Sequence, residues 1–369
     1  MTQTPKRILM TADTVGGVWT YALELTRALQ PYGVEVMLAV MGPPLRDAQT
    51  AAARSITNLN LFKSNYKLEW MPDCWSDVKH AGDWLLHLEN RLQPDLVHLN
   101  GYAHAGLPWQ SPTLVAGHSC VYSWWQAVKG DTPPAEWQHY KTEVTNGLSA
   151  ADLVVTPSAA MMQALTAHYG SLDNTRVIPN GRNPESFNSG SKRKFILSAG
   201  RLWDEAKNID RLADIACDLP WPVLIAGELQ DHPRPRRCHW LGSLPATELR
   251  RWFAAASIYA LPALYEPFGY TPLEAALSGC ALVLGNIDSL REVWCDAAVF
   301  VDPNDSAALK IELLELIENS PHRHEMARRA RERALEFTSD RMGQNYFAAY
   351  VDLLEAQTKD EQEKFAQCV

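Results

Sequence analysis

The chain alternates between short apolar runs of strand length and longer stretches in which apolar residues recur at helical spacing. The first elements are an apolar run at Arg7–Met10, a glycine pair at Gly16 and Gly17, a helical pattern over Val18–Leu29 and a second apolar run at Val34–Val40. A strand, a glycine turn, a helix and a strand in this order predict the start of a doubly wound α/β sheet.

The second half of the chain begins the same alternation afresh. Its predicted strands are Lys194–Ser198, Pro222–Ala226, His239–Leu241, Ile258–Leu261 and Ala281–Leu284. Between the halves, residues 182–191 are polar and rich in Asn, Ser and Gly, as is typical of a domain boundary. We therefore predict two doubly wound α/β domains, residues 1–185 and 186–340, and a terminal helix over 341–369.

The stretch from Leu264 to Asn286 carries two glutamates, Glu266 and Glu274, on either side of a Pro-Phe-Gly turn. Thr271 fits the N-cap of a helix and Glu274 its third position, so the pattern predicts a helix that begins after Thr271. The backbone amides at such a helix start favour a phosphate. Glu274 is compatible with a capping box, with a hydroxyl ligand, or with both. Glu266 has no helical partner at the usual spacing, which favours a binding role.

Other candidate residues follow predicted strands, at the edge where open α/β sheets bind ligands. His118 comes directly after the strand Thr113–Ala116, and a hydrogen-bonded structural histidine is the alternative interpretation. Gly16 and Gly17 permit close approach of the backbone to a ligand, although a plain tight turn explains them equally well.

Arg201 and Lys207 follow the first strand of the second half. Two cations beside an amide-rich helix start would form a diphosphate site, although either one alone is compatible with a surface residue. No Asp-x-Asp occurs in the chain, so a divalent metal that bridges phosphates is not suggested, and cationic side chains would replace it.

Composition narrows the class of protein. The formal net charge of -9 argues against nucleic acid or an anionic membrane as the main partner. The 7 cysteines are odd in number and widely spaced, without Cys-x-x-Cys, which indicates a reduced chain and no zinc ribbon. We expect a cytoplasmic protein because no apolar leader and no run of membrane-spanning length is seen.

These residues together resemble the GT-B retaining glycosyltransferases of family four, a group 1 family similar to the glycogen synthases. The resemblance covers nearly the whole chain. It is carried by Gly16-Gly-Val-Trp-Thr-Tyr21, Thr156-Pro-Ser158, Val177-Ile-Pro-Asn-Gly181, Gly200-Arg-Leu202 with Lys207-Asn208, and Glu266-Pro-Phe-Gly269 with Glu274. Together these motifs are specific for the family, and none is specific for a substrate.

The resemblance implies a fold of two Rossmann-like domains facing a cleft, with the terminal helix crossing back to the first domain. Arg201 and Lys207 would hold the donor diphosphate and stabilise it as a leaving group. Glu274 would bind the nucleotide ribose and Glu266 the sugar hydroxyls. The other implied donor contacts are the amides of Gly269, Tyr270 and Thr271, the loop at Gly16 and Gly17, and the side chain of His118. Five residues separate Arg201 from Lys207, one more than the commonest family spacing, so we expect this loop to bulge.

The function expected from the resemblance is transfer of a hexose from a nucleotide diphosphate sugar, most simply UDP-glucose, to a hydroxyl acceptor with retention of configuration. The donor is a co-substrate, and no cofactor or metal is expected. A nucleotide-sugar epimerase and a catalytically silent sugar-binding subunit remain open as alternatives. The acceptor is a sugar, a lipid-linked molecule or a small hydroxyl compound, and loops within residues 42–75 and 101–140 are expected to bind it. In the second of these loops, the aromatic stretch Val121–Tyr140 is compatible with acceptor stacking or with core packing.

Overall fold

The computed structural model describes residues 4–230 and 237–367, which form two compact units. The first unit comprises Met1–Ser123, Thr132–Gly181 and Ser339–Val369, and the second comprises Trp124–Asp131 and Arg182–Thr338. The chain therefore leaves the first unit briefly at Trp124–Asp131, leaves it again after Gly181, and returns to it at Ser339.

Within the described residues, the first unit contains a sheet of seven parallel strands in the order β3-β2-β1-β4-β5-β6-β7. The strands are β1 Arg7–Asp13, β2 Glu35–Met41, β3 Leu59–Lys63, β4 Leu96–Leu99, β5 Thr113–Ala116, β6 Leu153–Thr156 and β7 Thr175–Val177. The helices that connect them are α1 Gly17–Leu29, α2 Asp47–Arg54, α3 Trp75–Leu92, α4 Val121–Lys129, α5 Gln138–Ala150 and α6 Ala159–Tyr169. The central strands are apolar without alternation because helices cover both faces of a parallel sheet.

The second unit repeats this plan with a six-stranded sheet in the order β10-β9-β8-β11-β12-β13, as far as the described residues show. The strands are β8 Arg193–Ala199, β9 Val223–Ala226, β10 His239–Gly242, β11 Ala256–Leu261, β12 Ala281–Gly285 and β13 Val299–Val301. The helices are α7 Ile209–Ile215, α8 Ala246–Ala255, α9 Tyr270–Leu277, α10 Asp288–Trp294, α11 Ser306–Glu318 and α12 Ser320–Ala334. The predicted pair of doubly wound α/β sheets is therefore confirmed.

Strand order reverses at the same place in both sheets. In the first sheet β1 lies between β2 and β4, and in the second β8 lies between β9 and β11. The connections leave in opposite directions on the two sides of such a strand, and a crevice opens at its carboxyl end. Gly16 and Asn100 follow β1 and β4, and Gly200 and Pro262 follow β8 and β11, so the predicted motifs lie at these two points.

The terminal helix α13, Ser339–Gln367, packs on α1 within the first unit. A Cβ atom at Gly343 would lie 2.6 Å from the Cβ of Ala28, so the two helices approach closely at this glycine. The hydroxyl of Ser339 donates a hydrogen bond to Glu24 at 2.6 Å, which fixes the start of the helix. Across residues 4–230 and 237–367, the structure contains no helix with the length and apolarity needed to cross a membrane.

Candidate active site

The carboxyl edge of the second sheet brings two loops into close contact. The amide of Gly200 donates to the carbonyl of Ala226 at 3.0 Å, and the amide of Leu202 donates to that of Glu228 at 3.1 Å. A Cβ atom at Gly227 would lie 1.9 Å from the carbonyl oxygen of Gly200. The absence of a side chain at Gly227 therefore lets the loop that carries Arg201 begin directly against the neighbouring strand.

The loop from Arg201 to Lys207, here called the cation loop, contains the extra residue noted in the sequence. The loop contains a 3-10 turn at Glu205–Lys207. The Asp204 side chain caps this turn by accepting a hydrogen bond from the amide of Ala206 at 3.1 Å. Its other oxygen lies 2.7 Å from Nη2 of Arg201. Sequence reasoning missed Asp204, because a carboxylate in an irregular loop has no spacing that reveals its partner.

Lys207 and Glu266 are in direct contact, with 2.6 Å between Nζ and Oε2 and each side chain only 13% exposed. The backbone of Glu266 is held in turn, because the hydroxyl of Ser289 donates to its carbonyl at 2.7 Å. The structure thus joins a residue of the cation loop to the first glutamate of the paired motif. Arg201 is linked to them through Asp204, whose carbonyl accepts from the amide of Lys207 at 2.9 Å.

The predicted start of the helix after Glu266 is wrong by two residues, because the N-cap is Gly269 and not Thr271. Helix α9 begins at Tyr270, and Gly269 is its N-cap, with φ at +93° and no side-chain cap. Thr271 therefore lies inside the first turn. Its hydroxyl is 2.7 Å from that of the buried Tyr259, which also donates to the carbonyl of Ala199 at 3.1 Å. The positive φ of Gly269 turns the backbone into the helix, so the helix begins there without a threonine side chain as its cap.

Glu274 does not close a capping box either. Its carboxylate lies 2.9 Å from Nε of Arg182, and the two side chains are 12% and 10% exposed. The Arg182 guanidinium also lies 5.3 Å from the ring centroid of Phe187 and 6.0 Å from that of Tyr270. Sequence reasoning missed Arg182, although a cation directly after the Pro-Asn-Gly motif was a signal that a partner carboxylate should be sought.

In the first unit, Gly16 turns the chain from β1 into α1. Its φ of +90° and its N-cap position require glycine, and Gly17 is the first residue of the helix. The amide of Val15 donates to the Asp13 carboxylate at 2.7 Å, which braces the turn. The turn from β1 into α1 therefore explains the glycine pair on structural grounds, and the ligand role predicted for the pair stays a prediction.

His118 lies at the carboxyl end of β5 and is held by Asn100, at the carboxyl end of β4. Nε2 of His118 is 2.7 Å from Oδ1 of Asn100, and Asn100 donates its side-chain amide to the carbonyl of Thr11 at 2.6 Å. Because Oδ1 is thereby the acceptor, Nε2 carries the proton and Nδ1 is left as an acceptor. Burial lowers the pKa of His118 to about 4, so the ring is neutral at pH 7.

Tyr21 packs edge-on against His118 and connects it to a buried polar cluster. The two ring centroids are 4.4 Å apart. The hydroxyl of Tyr21 lies 3.3 Å from Nε2 of His98, and Nδ1 of His98 lies 2.7 Å from the hydroxyl of Tyr350 in the terminal helix. Burial lowers the pKa of His98 to about 3. His118 thus packs against a motif residue, Tyr21, and the motif residue is held in turn by His98, which the predicted motifs do not include.

The predicted site residues fall into two sets. Lys207, Glu266 and Arg201 form one connected group in the second unit, with Glu274 and the amides at Gly269, Tyr270 and Thr271 on the adjoining helix α9. Gly16, Gly17 and His118 lie at the sheet edge of the first unit. Among the residues that the structure describes, no cluster of His, Cys, Asp or Glu is arranged to hold a metal ion.

Two protein-family models match adjacent parts of the chain. The model described as Glycosyltransferase Family 4 matches residues 15–186, and the model described as Glycosyl transferases group 1 matches residues 180–333. Each of the two α/β units has a parallel sheet and carries these motifs at the edge of that sheet. Together with this architecture, the matches define a GT-B glycosyltransferase. The chain belongs to the group 1 glycosyltransferases, enzymes that use nucleotide sugars.

Curated relatives agree with this assignment. Glycogen synthase of Mycobacterium tuberculosis is 29% identical over 311 residues, which cover 76% of this chain and 68% of the relative. D-inositol 3-phosphate glycosyltransferase of Xylanimonas cellulosilytica is 25% identical over 405 residues, covering 93% and 92%. O-antigen chain mannosyltransferase B of Escherichia coli is 30% identical over 144 residues, and this match spans only 33% of that protein.

Solved structures confirm the fold. Sucrose-phosphate synthase from Thermosynechococcus elongatus superposes with a TM-score of 0.80 at 16% identity, covering 95% of this chain and all of the other. Anabaena Alr3699/HepE, solved in complex with UDP-glucose, gives a TM-score of 0.75 at 15% identity, with 94% and 99% covered. The predicted GT-B fold is therefore confirmed.

Proposed function

We propose that this glycosyltransferase moves a hexose from a nucleotide diphosphate sugar, with UDP-glucose as the simplest candidate, to a hydroxyl acceptor, with retention of configuration and without a metal. The observation that carries the proposal is the contact of Lys207 with Glu266 beside Arg201, at the amino end of helix α9. Two cations and a set of helix-start amides are what a diphosphate needs.

Lys207 and Arg201 both have N–H groups that can bind such a ligand. Lys207 has three N–H groups and Arg201 has five, and one contact from each is given to a carboxylate of the protein. The remaining donors would bind the diphosphate oxygens with the amides of Gly269, Tyr270 and Thr271. Negative charge grows on the diphosphate as it leaves, so these donors stabilise the transition state more than the ground state.

The two cations support the metal-free part of the proposal, because they supply the positive charge that a divalent ion would otherwise bring to the diphosphate. The carboxylates have a different task. Glu266 would accept from hydroxyls of the donor sugar, and Glu274 from the ribose. Each carboxylate is already oriented by a cation, Lys207 and Arg182 respectively, so little rearrangement is required when the donor binds.

His118 supplies a neutral acceptor, Nδ1, for a hydroxyl of the donor sugar. In the proposed reaction the bond between the anomeric carbon and the diphosphate oxygen breaks. The acceptor oxygen bonds to the same face of that carbon, and its proton passes to the departing diphosphate. The acceptor is proposed to bind loops within residues 42–75 and 101–140, most of which belong to the first unit. Its identity is a sugar, a lipid-linked molecule or a small hydroxyl compound.

The relatives support a hexose donor. One of them is named a glycogen synthase, and one solved structure of the same fold holds UDP-glucose. The direct test is a thermal-shift panel with UDP, GDP, ADP and their glucose and mannose conjugates, with and without magnesium. A ligand at 100 times its dissociation constant stabilises by about 2.7 kcal/mol, which such an assay detects. We expect UDP and UDP-glucose to give the largest shifts, with magnesium making no difference.

Turnover then separates the proposal from its alternatives. Transfer releases nucleotide diphosphate only when an acceptor is supplied or water replaces it, and proton NMR of the product shows an anomeric configuration equal to that of the donor. An epimerase would convert the donor in acceptor-free buffer without release of nucleotide. A silent binding subunit would show the thermal shift and no turnover, and inversion of the anomeric centre would contradict the retaining mechanism.

A further inference from the structure

Asp204 is a buried carboxylate in the cation loop to which the mechanism above gives no task. Its residue is 6% exposed. One oxygen lies 2.7 Å from Nη2 of Arg201. The other accepts from the Ala206 amide at 3.1 Å and from the indole N–H of Trp124 at 3.0 Å. Both oxygens therefore accept hydrogen bonds, and the donors come from different elements.

The charge on Asp204 is maintained by its neighbours. Burial by itself would raise the pKa of this carboxyl group. The adjacent cations Arg201 and Lys207, together with the hydrogen bonds from Trp124 and Arg201, outweigh burial and hold the pKa below its usual value. The group is thus a carboxylate at neutral pH, and a carboxylate next to a guanidinium fixes the direction of that guanidinium.

Arg201 needs such support. Its side chain is 38% exposed, and a long side chain at an open edge has many rotamers. Its guanidinium is stacked 5.3 Å from the ring centroid of Trp203 and bonded to Asp204. Among residues 4–230 and 237–367, its buried Nε has no hydrogen-bond partner. Asp204 is accordingly the hydrogen-bonded anchor that the structure shows for this guanidinium.

Trp124 completes the arrangement from a distant part of the chain. It lies in helix α4, and the segment Trp124–Asp131 packs with the second unit rather than with the helix start. Its indole reaches the Asp204 oxygen that Arg201 does not use. Helix α4 thus holds the cation loop at Asp204, although the helix and the loop are far apart in the sequence.

We propose that Asp204 is a positioning residue for the leaving-group cation. It holds the Arg201 guanidinium in the orientation that meets the departing diphosphate, and Trp124 holds Asp204. This inference rests on the proposed function, because it gives Arg201 its task there. The simpler role, capping the 3-10 turn, uses only the oxygen that Ala206 and Trp124 share, whereas positioning uses the oxygen on Arg201 and its charge.

A double-mutant cycle distinguishes the two roles. We expect Arg201→Ala to lower kcat about 10²-fold and Asp204→Asn to lower it about tenfold or more, because misplacing a group that stabilises the transition state costs on this scale. KM for the donor should change much less than kcat in Asp204→Asn. The double variant should be no slower than Arg201→Ala alone, because Asp204 acts through Arg201. The control Glu205→Gln makes the same acid-to-amide change one residue further along, on an exposed side chain that pairs with Lys129, and it should leave kcat unaltered.

Each outcome is decisive. Wild-type kcat in Asp204→Asn beside an impaired Arg201→Ala overturns the positioning role. So does a double variant whose losses multiply, since that is the result of a purely structural role. If Asp204→Asn does not fold, Trp124→Phe replaces it in the cycle, and an effect of the same size with and without Arg201 overturns the proposal. An unimpaired Arg201→Ala would instead contradict the proposed function at Arg201.

Discussion

Arg182 and Glu274 lie 2.9 Å apart in the second unit, and both side chains are almost entirely buried. This pair replaces the capping box that the Thr-x-x-Glu spacing suggests. The same kind of arrangement occurs at Lys207 with Glu266. In a protein interior a carboxylate is retained where a cation offsets the cost of its burial. The candidate donor site is thus built from opposite charges that are already oriented before a ligand arrives.

Removing the cation of this pair should destabilise the protein. Arg182→Ala removes the guanidinium that lies against the buried Glu274 carboxylate, and breaking a buried ion pair in this way typically costs about 3–5 kcal/mol. We expect a loss of about 3 kcal/mol in the free energy of unfolding, measured by urea denaturation at pH 7. The double variant Arg182→Ala/Glu274→Ala should lose less than the sum of the single losses, because the uncompensated charge is gone.

The matched control for Arg182 is an exposed arginine in α12. Arg328 pairs with Glu325 and Glu332, and its side chain is 55% exposed. Surface ion pairs contribute only about 0–1 kcal/mol, so Arg328→Ala should be nearly neutral. If Arg182→Ala and Arg328→Ala lowered the free energy of unfolding equally, the buried pair would contribute no more to stability than the exposed one.

A second prediction concerns Lys207. Lys207→Ala removes a donor that stabilises the departing diphosphate, and the loss of one such group typically lowers kcat about 10²-fold or more. Steady-state release of nucleotide diphosphate measures the effect. Lys310, which pairs with Asp218 and is 36% exposed, serves as the control, because Lys310→Ala changes the net charge equally and touches no predicted site residue. An unchanged rate in Lys207→Ala would remove Lys207 from the mechanism.

The sequence was sufficient for the architecture because backbone periodicity and burial are local properties. Strands such as Thr113–Ala116 and Ala281–Gly285 coincide with apolar runs that are buried on both faces. The motif residues also lie directly after the carboxyl ends of the strands, which is where open α/β sheets bind ligands. The start of α9 was misplaced because Thr271 has the composition of an N-cap, whereas the conformation of Gly269 decides where the helix begins.

The features of the site that the sequence did not reveal are contacts between residues that lie far apart in the chain. Arg182 and Glu274 are far apart in the sequence, and Asn100 reaches His118 only because β4 and β5 are neighbours in the sheet. No periodicity reports such contacts. The retaining mechanism, the donor, the absence of a metal and the cytoplasmic location stay predictions, because no contact between the described residues tests them.

A third prediction concerns the close approach of Gly227 to Gly200. In Gly227→Ala the new Cβ would lie 1.9 Å from a backbone oxygen, so the strand edge must move. Overpacking of this kind typically costs about 1–3 kcal/mol, and the displaced element is the one that leads into the cation loop. We expect lower stability together with weaker binding of nucleoside diphosphate by calorimetry. Gly106→Ala, where a Cβ meets nothing within 4 Å, should bind as the wild type does.

The fourth prediction is a pH dependence of stability. Burial lowers the pKa of His118 to about 4 and that of His98 to about 3, below the usual histidine pKa of about 6.5. Between pH 6.5 and the lowered values the unfolded chain therefore binds protons that the folded chain does not. The contribution of these residues is complete above pH 6.5, and it is lost as the pH falls toward 4. Each residue adds about 1.4 kcal/mol per pH unit to the slope within this window.

Urea denaturation at several pH values between 7 and 5 measures this slope. His118→Gln removes one of these two rings, so the slope of the variant should be smaller than that of the wild type. Because the folded protein keeps His118 neutral across this range, the rate of transfer should show no inflection from His118 above pH 5. A slope that His118→Gln leaves intact would mean that this ring takes up its proton as readily in the folded chain as in the unfolded one.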